Sequence, residues 1–561
     1  MIRNPVRPEL LAAGVAILVI ASVAAPVAIG GPAENDLREE RAVQFRDVSQ
    51  SCGLDYRTSG DATGSDDGGV AVADYDRDGW PDLLALGGDH PILFENRGDE
   101  ADARFERSGA LPDGEYPQLK SGLFFDADGD GWQELLLIPK TGAPVFLDNE
   151  AGTYRRADAG LDAELRWGTG ASVADFDADG DLDVIVIQNG NWTEGTPRRG
   201  ADGEATDGYP NLLFENLENS SNETAPGADT VRFERVESDA VAGSRWSLAV
   251  SAVDLTDDGR PDVHVANDYG YDALLVNRGN MTFERRPLEG TNFHGMASVV
   301  RDVNGDGRLD LFVTNIEFAN PQDVWELNSG LNVRNEGNNL LLNRGNGSFI
   351  ERATEYGVRQ GGWGWAAAVE DFDSDGGLDV LHATKHYLER TEDDDFAGVA
   401  TDPSLWEQRS DGRFERRNAS EAGLAPSNGR GLATVDFDRD GDRDVAIADT
   451  SDRFRLYESA AEGGNWLQVR VRGGDGTALG TRIEVATDRG TITRVQSSRS
   501  GFFSQSSRTM HFGLGNATVE KLRIERPDGT ETVFGDVESN RRLEVAANGS
   551  LIRHQPSESG C

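Results

Sequence analysis

Two cysteines in 561 residues, Cys52 and Cys561, permit at most one intramolecular bridge, which excludes a disulfide-stapled scaffold. Because Cys561 is the last residue, both are expected as free thiols. Lysine is nearly missing, at Lys120, Lys140, Lys385 and Lys521 only, and a net charge of −45 argues against a nucleic-acid partner. That acid-rich, lysine-poor balance suits a halophilic surface, soluble where the Debye length falls to about 3 Å at 1 M salt. Histidines are few: His90, His264, His294, His382, His386, His511 and His554, none in H-E-x-x-H. The chain also lacks a G-x-S-x-G elbow, a phosphate-cradling glycine loop and a C-x-x-C-H site. These absences lean the reading away from an enzyme and predict no catalytic residues.

Long apolar runs are missing everywhere except at the start. Residues 1–34 carry Arg3 and Arg7, then an apolar stretch from Leu10 to Ile29 broken only by small residues and Pro26. This is a secretory signal peptide or an uncleaved membrane anchor, being just long enough to span a bilayer at roughly 20 residues. Everything after about Ala33 is expected outside the membrane, at the cell surface or beyond it. Eight N-x-S/T sequons, at Asn191, Asn219, Asn222, Asn280, Asn346, Asn418, Asn516 and Asn548, agree with an exported glycoprotein.

What the chain does have is one acidic loop, D-x-D-x-D-G-x-x-D, written seven times. Positions one, three, five and nine are Asp74, Asp76, Asp78 and Asp82 in the first copy; Asp126, Asp128, Asp130 and Glu134 in the second; Asp175, Asp177, Asp179 and Asp183 in the third. The later copies place Asp254, Thr256, Asp258 and Asp262; Asp302, Asn304, Asp306 and Asp310; Asp371, Asp373, Asp375 and Asp379; and Asp436, Asp438, Asp440 and Asp444. Ca²⁺ takes six to eight oxygens at about 2.3–2.6 Å, and alternate side chains of a tight turn converge on such an ion. The glycine at position six, as in Gly180, Gly307 and Gly441, is expected at a strained turn. Thr256 replaces a carboxylate, so the fourth site is expected to be the weakest. An EF-hand needs glutamate at position twelve, whereas these copies have Ala85, Leu137, Val186, Val265, Val313, His382 and Ile447. Short valine- and leucine-rich runs flank each loop, which makes it a β-hairpin connection.

Two further markers keep phase with the loop. An aromatic opens a polar strand at Phe45, Phe105, Tyr154, Phe233, Phe283, Phe349 and Phe414, and an apolar run ends in asparagine at Asn216, Asn277 and Asn343. Four strands per unit and loop spacings of 48 to 79 residues predict a seven-bladed β-propeller over residues 43–460. Strands from both ends of that region should complete one blade.

The repeats resemble the FG-GAP/VCBS repeats of integrin α-subunit propellers, which implies calcium in each hairpin. After Gly463-Gly464 the pattern becomes plain alternation in WLQVRVR, TRIEVAT, TITRVQS and VEKLRIER, predicting a small antiparallel β-sandwich or barrel. NWLQVRVRG, SGFFSQSS and HFGLGNATVEKLRIERPDG resemble the ASPIC/UnbV domain over residues 465–547, leaving 548–561 as a tail. Repeats followed by that domain resemble the cartilage acidic protein family. The resemblance implies a secreted, calcium-binding, adhesive protein.

The leading expectation is therefore an all-β surface-binding or adhesion protein whose calcium is structural. A secreted polysaccharide-active enzyme and a structural surface component are the alternatives. Strand parity puts all seven loops on one face of the disc. Large insertions near residues 189–209, 315–338 and 385–403 fall on the other face, with Trp167, Trp246, His294, Trp363, Trp365 and Arg430. That metal-free face is the expected site for a protein or glycan ligand. Alanine at Trp246 or Trp365 is expected to weaken binding there.

Overall fold

The computed structural model describes residues 41–56, 68–87, 90–98, 104–191, 197–200, 203–217, 231–291, 294–317, 337–384, 386–390, 396–399, 401–450, 453–461, 463–473, 478–498, 501–556 and 561. The segment 1–34 and the sequons at Asn219 and Asn222 lie outside the described residues.

Seven antiparallel four-stranded sheets form the propeller. Blade one takes Val70–Ala73, Asp82–Ala85, Ile92–Asn96 and Phe105–Arg107 in order from the axis outward. Blades two to six open with Leu119–Phe125, Gly168–Ala174, Trp246–Val253, Val299–Arg301 and Gly364–Glu370. Blade seven is built from Gly429–Val435, Asp444–Asp449 and Arg455–Ser459, and its outer strand is Phe45–Asp47 from the beginning of the repeat region. Pairing Phe45 with Ser459 closes the ring with hydrogen bonds. The innermost strands are rich in glycine, alanine and serine, as in GTGASVA and GRGLATV, because seven of them crowd round one axis.

The aromatic and asparagine markers turn out to be blade-to-blade joints. The second residue of each acidic loop points an apolar side chain at the next blade: Tyr75 meets Tyr154, Phe176 meets Phe283, Phe372 meets Phe45 and Phe437 meets Phe105, with ring centroids 5.3–6.0 Å apart. The carbonyl of that same residue accepts from the end of the neighbour's third strand. Asn149 Nδ2 donates to Tyr75 O, Asn216 to Ala127 O, Asn277 to Phe176 O and Asn343 to Leu255 O, all within 3.0 Å. Asn96, Gln408 and Ser459 make the equivalent bonds to Phe437 O, Val303 O and Phe372 O, so the latch goes fully round the ring. Asn277 also donates to Pro261 O at 3.1 Å. Asn277→Ala therefore strands two buried carbonyls and is expected to cost about 1–3 kcal/mol. Urea unfolding of the variant checks this, and an unchanged midpoint would contradict it.

Beyond the propeller, two four-stranded sheets enclose a separate core of Leu467, Val485, Phe512, Leu522 and Leu543. One sheet orders Met510–Gly515, Asn465–Val471, Arg541–Val545 and Leu551–His554; the other orders Gly490–Val495, Arg482–Thr487, Val519–Glu525 and Glu531–Gly535. Two differences from the sequence reading follow. Asn465–Val471 pairs in parallel with Arg541–Val545, because the chain crosses to the other sheet between them. Leu551–His554 is an edge strand, so the expected tail belongs partly to this domain.

The cysteine expectation is corrected: Cys52 and Cys561 form a disulfide, with Cα atoms 5.3 Å apart. Spacing along the chain gave no hint, since 509 residues separate them, and only the folded path brings Cys561 back beside the ring closure. Non-reducing peptide mapping is expected to recover a linked Cys52–Cys561 peptide, and two alkylated thiols would refute the bridge.

The C-terminal domain also sends one segment into the propeller axis. Ser504–Gln505 adds a short parallel strand to Val70–Ala71 of blade one. Gln505 exchanges two hydrogen bonds with the Phe124 backbone of blade two, at 2.8 and 2.9 Å. Ser498 Oγ meets Ser172 Oγ of blade three at 2.9 Å, Gly501 N donates to Ser298 O beside blade five, and Ser504 Oγ accepts from Leu432 N of blade seven. Phe502 and Phe503 are buried there, with Phe502 5.2 Å from Trp365. The segment predicted from SGFFSQSS is thus a plug whose small polar side chains satisfy inner-strand amides that no eighth strand reaches.

Candidate metal centres and the opposite face

Each acidic loop joins the inner strand to the second strand of its blade, so the seven lie on one face. The turn is held by left-handed backbone at two positions. Glycine at position six has φ between 85° and 107° in all seven copies. Position four is also left-handed, at Arg77, Gly129, Ala178, Asp257, Gly305, Ser374 and Arg439. The sequence reading missed position four, although two of its seven residues are glycine. The Asp at position one accepts from the position-six amide, as Gly180 N to Asp175 Oδ2 at 3.1 Å and Gly307 N to Asp302 Oδ2 at 2.9 Å.

Position nine has a second task. Asp183 Oδ2 accepts from Phe176 N and its Oδ1 from Asn216 N; Asp262, Asp310 and Asp444 repeat this with Leu255 and Asn277, Val303 and Asn343, and Phe437 and Ser459. The carboxylate that completes the cluster thereby also fixes the third strand.

Oxygen atoms from three carboxylates converge within 4.8 Å of one another at Asp74, Asp76 and Asp78; Asp126, Asp128 and Glu134; Asp175, Asp177 and Asp183; Asp371, Asp373 and Asp379; and Asp436, Asp438 and Asp444. Asp126 Oδ1, Asp436 Oδ1 and Asp438 Oδ2 are buried with no hydrogen-bond partner. Burial, reinforced by the neighbouring loop carboxylates, pushes Asp183 up to about 8, Asp373 to about 7, Asp438 to about 9 and Glu134 to about 10. Clustered, desolvated anions with vacant lone pairs fit a bound cation, which would neutralise them without a proton. Loops four and five differ. Arg260 folds back onto Asp258 and Arg308 onto Asp306, bringing a guanidinium to the position-five carboxylate. In both loops that guanidinium comes from position seven, which the ligand pattern ignores.

The C-terminal domain rests on this same face. Arg470 Nη1 donates to Asp74 Oδ2 at 2.8 Å, Gln468 Nε2 to Asp436 Oδ2 at 2.7 Å, Gly515 N to Ser374 O at 3.0 Å, and Arg482 to Gly307 O. In the covered loops Asp371, Asp373 and Asp379, and Asp436, Asp438 and Asp444, are all buried, whereas Asp175 and Asp177 are partly exposed. His511, one of the seven histidines, is buried 3.4 Å from Ser374 Oγ.

On the opposite face the six residues singled out from sequence divide. Trp246 and Arg430 are fully buried; the Trp246 ring N–H donates to Asp207, and Arg430 stacks on Trp365 at 3.5 Å. Trp365 is 8% exposed and stacks on Trp363, so these side chains pack round the channel mouth. Trp167 and Trp363 remain half-exposed, Trp167 beneath the Lys140 ammonium at 4.1 Å. His294 is buried with its Nδ1 2.6 Å from Asp268 Oδ1, an acidic partner that the sequence reading overlooked. Alanine at Trp246 or Trp365 would open a core cavity, so binding tests belong on Trp167 and Trp363. Of the insertions, residues 386–390 and 396–399 form a two-stranded hairpin.

Comparison with known proteins fits this architecture. The FG-GAP-like repeat model matches residues 74–137, 126–186, 254–313 and 327–382, and the ASPIC and UnbV model matches residues 472–551. The chain is thus an FG-GAP-like repeat β-propeller with a C-terminal ASPIC/UnbV domain. It is homologous to cartilage acidic protein 1: the Mus musculus protein is 24% identical over 505 residues, covering 76% of this chain and 74% of that protein. The Homo sapiens protein is 24% identical over 486 residues, covering 73% and 69%. Among solved structures, an Agrocybe aegerita lectin recognising non-reducing terminal N-acetylglucosamine is similar at 15% identity, with 70% of this chain and 93% of the lectin covered and a TM-score of 0.40. Among the described residues no helix is long and apolar enough to cross a membrane.

Proposed function

We propose that this is an exported, calcium-binding propeller that acts as an extracellular binding or adhesion protein, presenting its metal-free face to a protein or glycan ligand. The observation that carries the reading is the division of the two faces. The ASPIC/UnbV domain occupies the acidic face through Arg470, Gln468 and Gly515 and fills the axis with its plug, so that face is engaged within the chain itself. Calcium suits the all-oxygen donor sets, which lack the cysteine and histidine that zinc prefers. An oxidising compartment agrees with the Cys52–Cys561 bridge.

The test is a glycan and protein array probed with the soluble chain, with and without calcium, followed by Trp167→Ala and Trp363→Ala. Loss of at least about tenfold in affinity, with metal content unchanged, supports the assignment. Blocking substitutions that instead cluster in the ASPIC/UnbV domain or the acidic loops would overturn it.

A further inference from the structure

A small, partly enclosed pocket with about 20 Å³ of solvent room lies where the ASPIC/UnbV domain meets blades one and two, lined by Asp74, Gln133, Arg470, Arg508, Thr509 and Arg542 among others. Three guanidinium groups share it with one carboxylate, in a chain that has 99 acidic residues against 54 basic ones. Composition alone would fill such a pocket with acids.

The three arginines are unequally satisfied. Arg470 is paired with Asp74 at 2.8 Å. Arg508 donates one Nη2 bond to Phe124 O at 2.6 Å, while its Nε is buried with no hydrogen-bond partner. The Arg542 side chain makes no hydrogen bond or ion pair with the described residues, and its charged surroundings are Asp436 and Asp74 against Arg439 and Arg470. Unfilled buried donors and facing like charges both cost free energy. Guanidinium forks match the oxygens of sulfate and phosphate in a bidentate way, and two or three of them round a cavity are a recurrent oxyanion site.

We propose that this pocket binds a tetrahedral oxyanion, free sulfate or phosphate or the same group carried as an ester on a polysaccharide, held chiefly by Arg508 and Arg542. The anion bridges the two domains on the acidic face. Its position is independent of the ligand assigned to the opposite face.

Calorimetry and melting curves on the calcium-loaded chain test this, titrating sodium sulfate against chloride of equal ionic strength. One saturable site and a raised melting temperature are expected. Arg542→Gln should weaken sulfate binding by at least about tenfold. It should leave the metal content unchanged and leave the anion-free melting temperature equal or higher, because it removes a desolvated charge that makes no ion pair with the described residues. That second readout separates loss of the site from loss of the fold. No saturable binding of either sulfate or phosphate at tens of millimolar, or an Arg542→Gln protein that binds as tightly as the parent, overturns the proposal. A sulfated disaccharide that binds at least as well as inorganic sulfate, with its unsulfated counterpart silent, assigns the ester; binding of the inorganic ion alone assigns the free anion.

Discussion

Chelation is expected to lower the melting temperature of the calcium-loaded protein by about 10 °C or more and to invert its dependence on pH. A site kept at a hundred times its Kd contributes about 2.7 kcal/mol, and five saturated sites in a chain of this size shift the midpoint by about that amount. The five are the loops at Asp74, Asp126, Asp175, Asp371 and Asp436, and those at Asp254 and Asp302 should fill last because Arg260 and Arg308 compete. The pH inversion follows from the direction of the shifts. Burial and mutual repulsion raise Asp183 to about 8, Asp438 to about 9 and Asp373 to about 7, while an unfolded aspartate titrates near 4. Acids raised in the folded state contribute stability that is complete below pH 4 and is lost as pH rises through about 7–9. Chelated protein should therefore melt higher at pH 5.5 than at pH 8. With calcium the order reverses, since protons now compete with the ion. Glu370, held at about 2 by Arg301 and Arg443 despite its burial, titrates below this window and does not confuse it. Equal melting curves with and without chelator, or fewer than about four ions by metal analysis, would refute the calcium reading.

Replacing Gly513 is expected to separate the two domains. This glycine of HFGLG lies directly on loop six: a β-carbon there would overlap Asp371 Oδ2 and crowd Ser374. Asp371 and Ser374 are both buried, so neither can yield without opening the metal loop. Gly513→Val should cost about 3 kcal/mol or more, the upper range for overpacking a rigid site. It should also lose one bound ion and expose the link near Gly463 to limited proteolysis. Gly535→Ala is the control, because it ends a strand of the same domain with nothing within 4 Å of an added β-carbon. A Gly513→Val protein with parental stability and metal content would show that the domain does not bear on loop six.

The repeats were legible because each residue type had a local job. Alternate carboxylates, the position-six glycine and the flanking valine runs announce a turn between strands wherever they stand. The opening aromatics and closing asparagines were visible as periodic markers too, but their partners were not. Phe283 meets Phe176, and Asn277 meets the carbonyl of that same residue, across a blade boundary more than a hundred residues away. The position-two residue was overlooked because ligand patterns skip it, although Tyr75, Ala127, Phe176, Leu255, Val303, Phe372 and Phe437 are all apolar.

Thus the sequence by itself determined the all-β class, the number of blades, the seven acidic turns and the change of pattern after Gly464. All of these depend on residues close together in the chain. Tertiary structure decided that Cys52 is bridged to Cys561, that Trp246 and Arg430 are core rather than surface, and that the ASPIC/UnbV domain covers the acidic face and plugs the axis. Each is a contact between segments hundreds of residues apart or between different blades. Burial and charge pairing at such contacts depend on which surfaces the closed ring brings together, and local pattern carries no record of that.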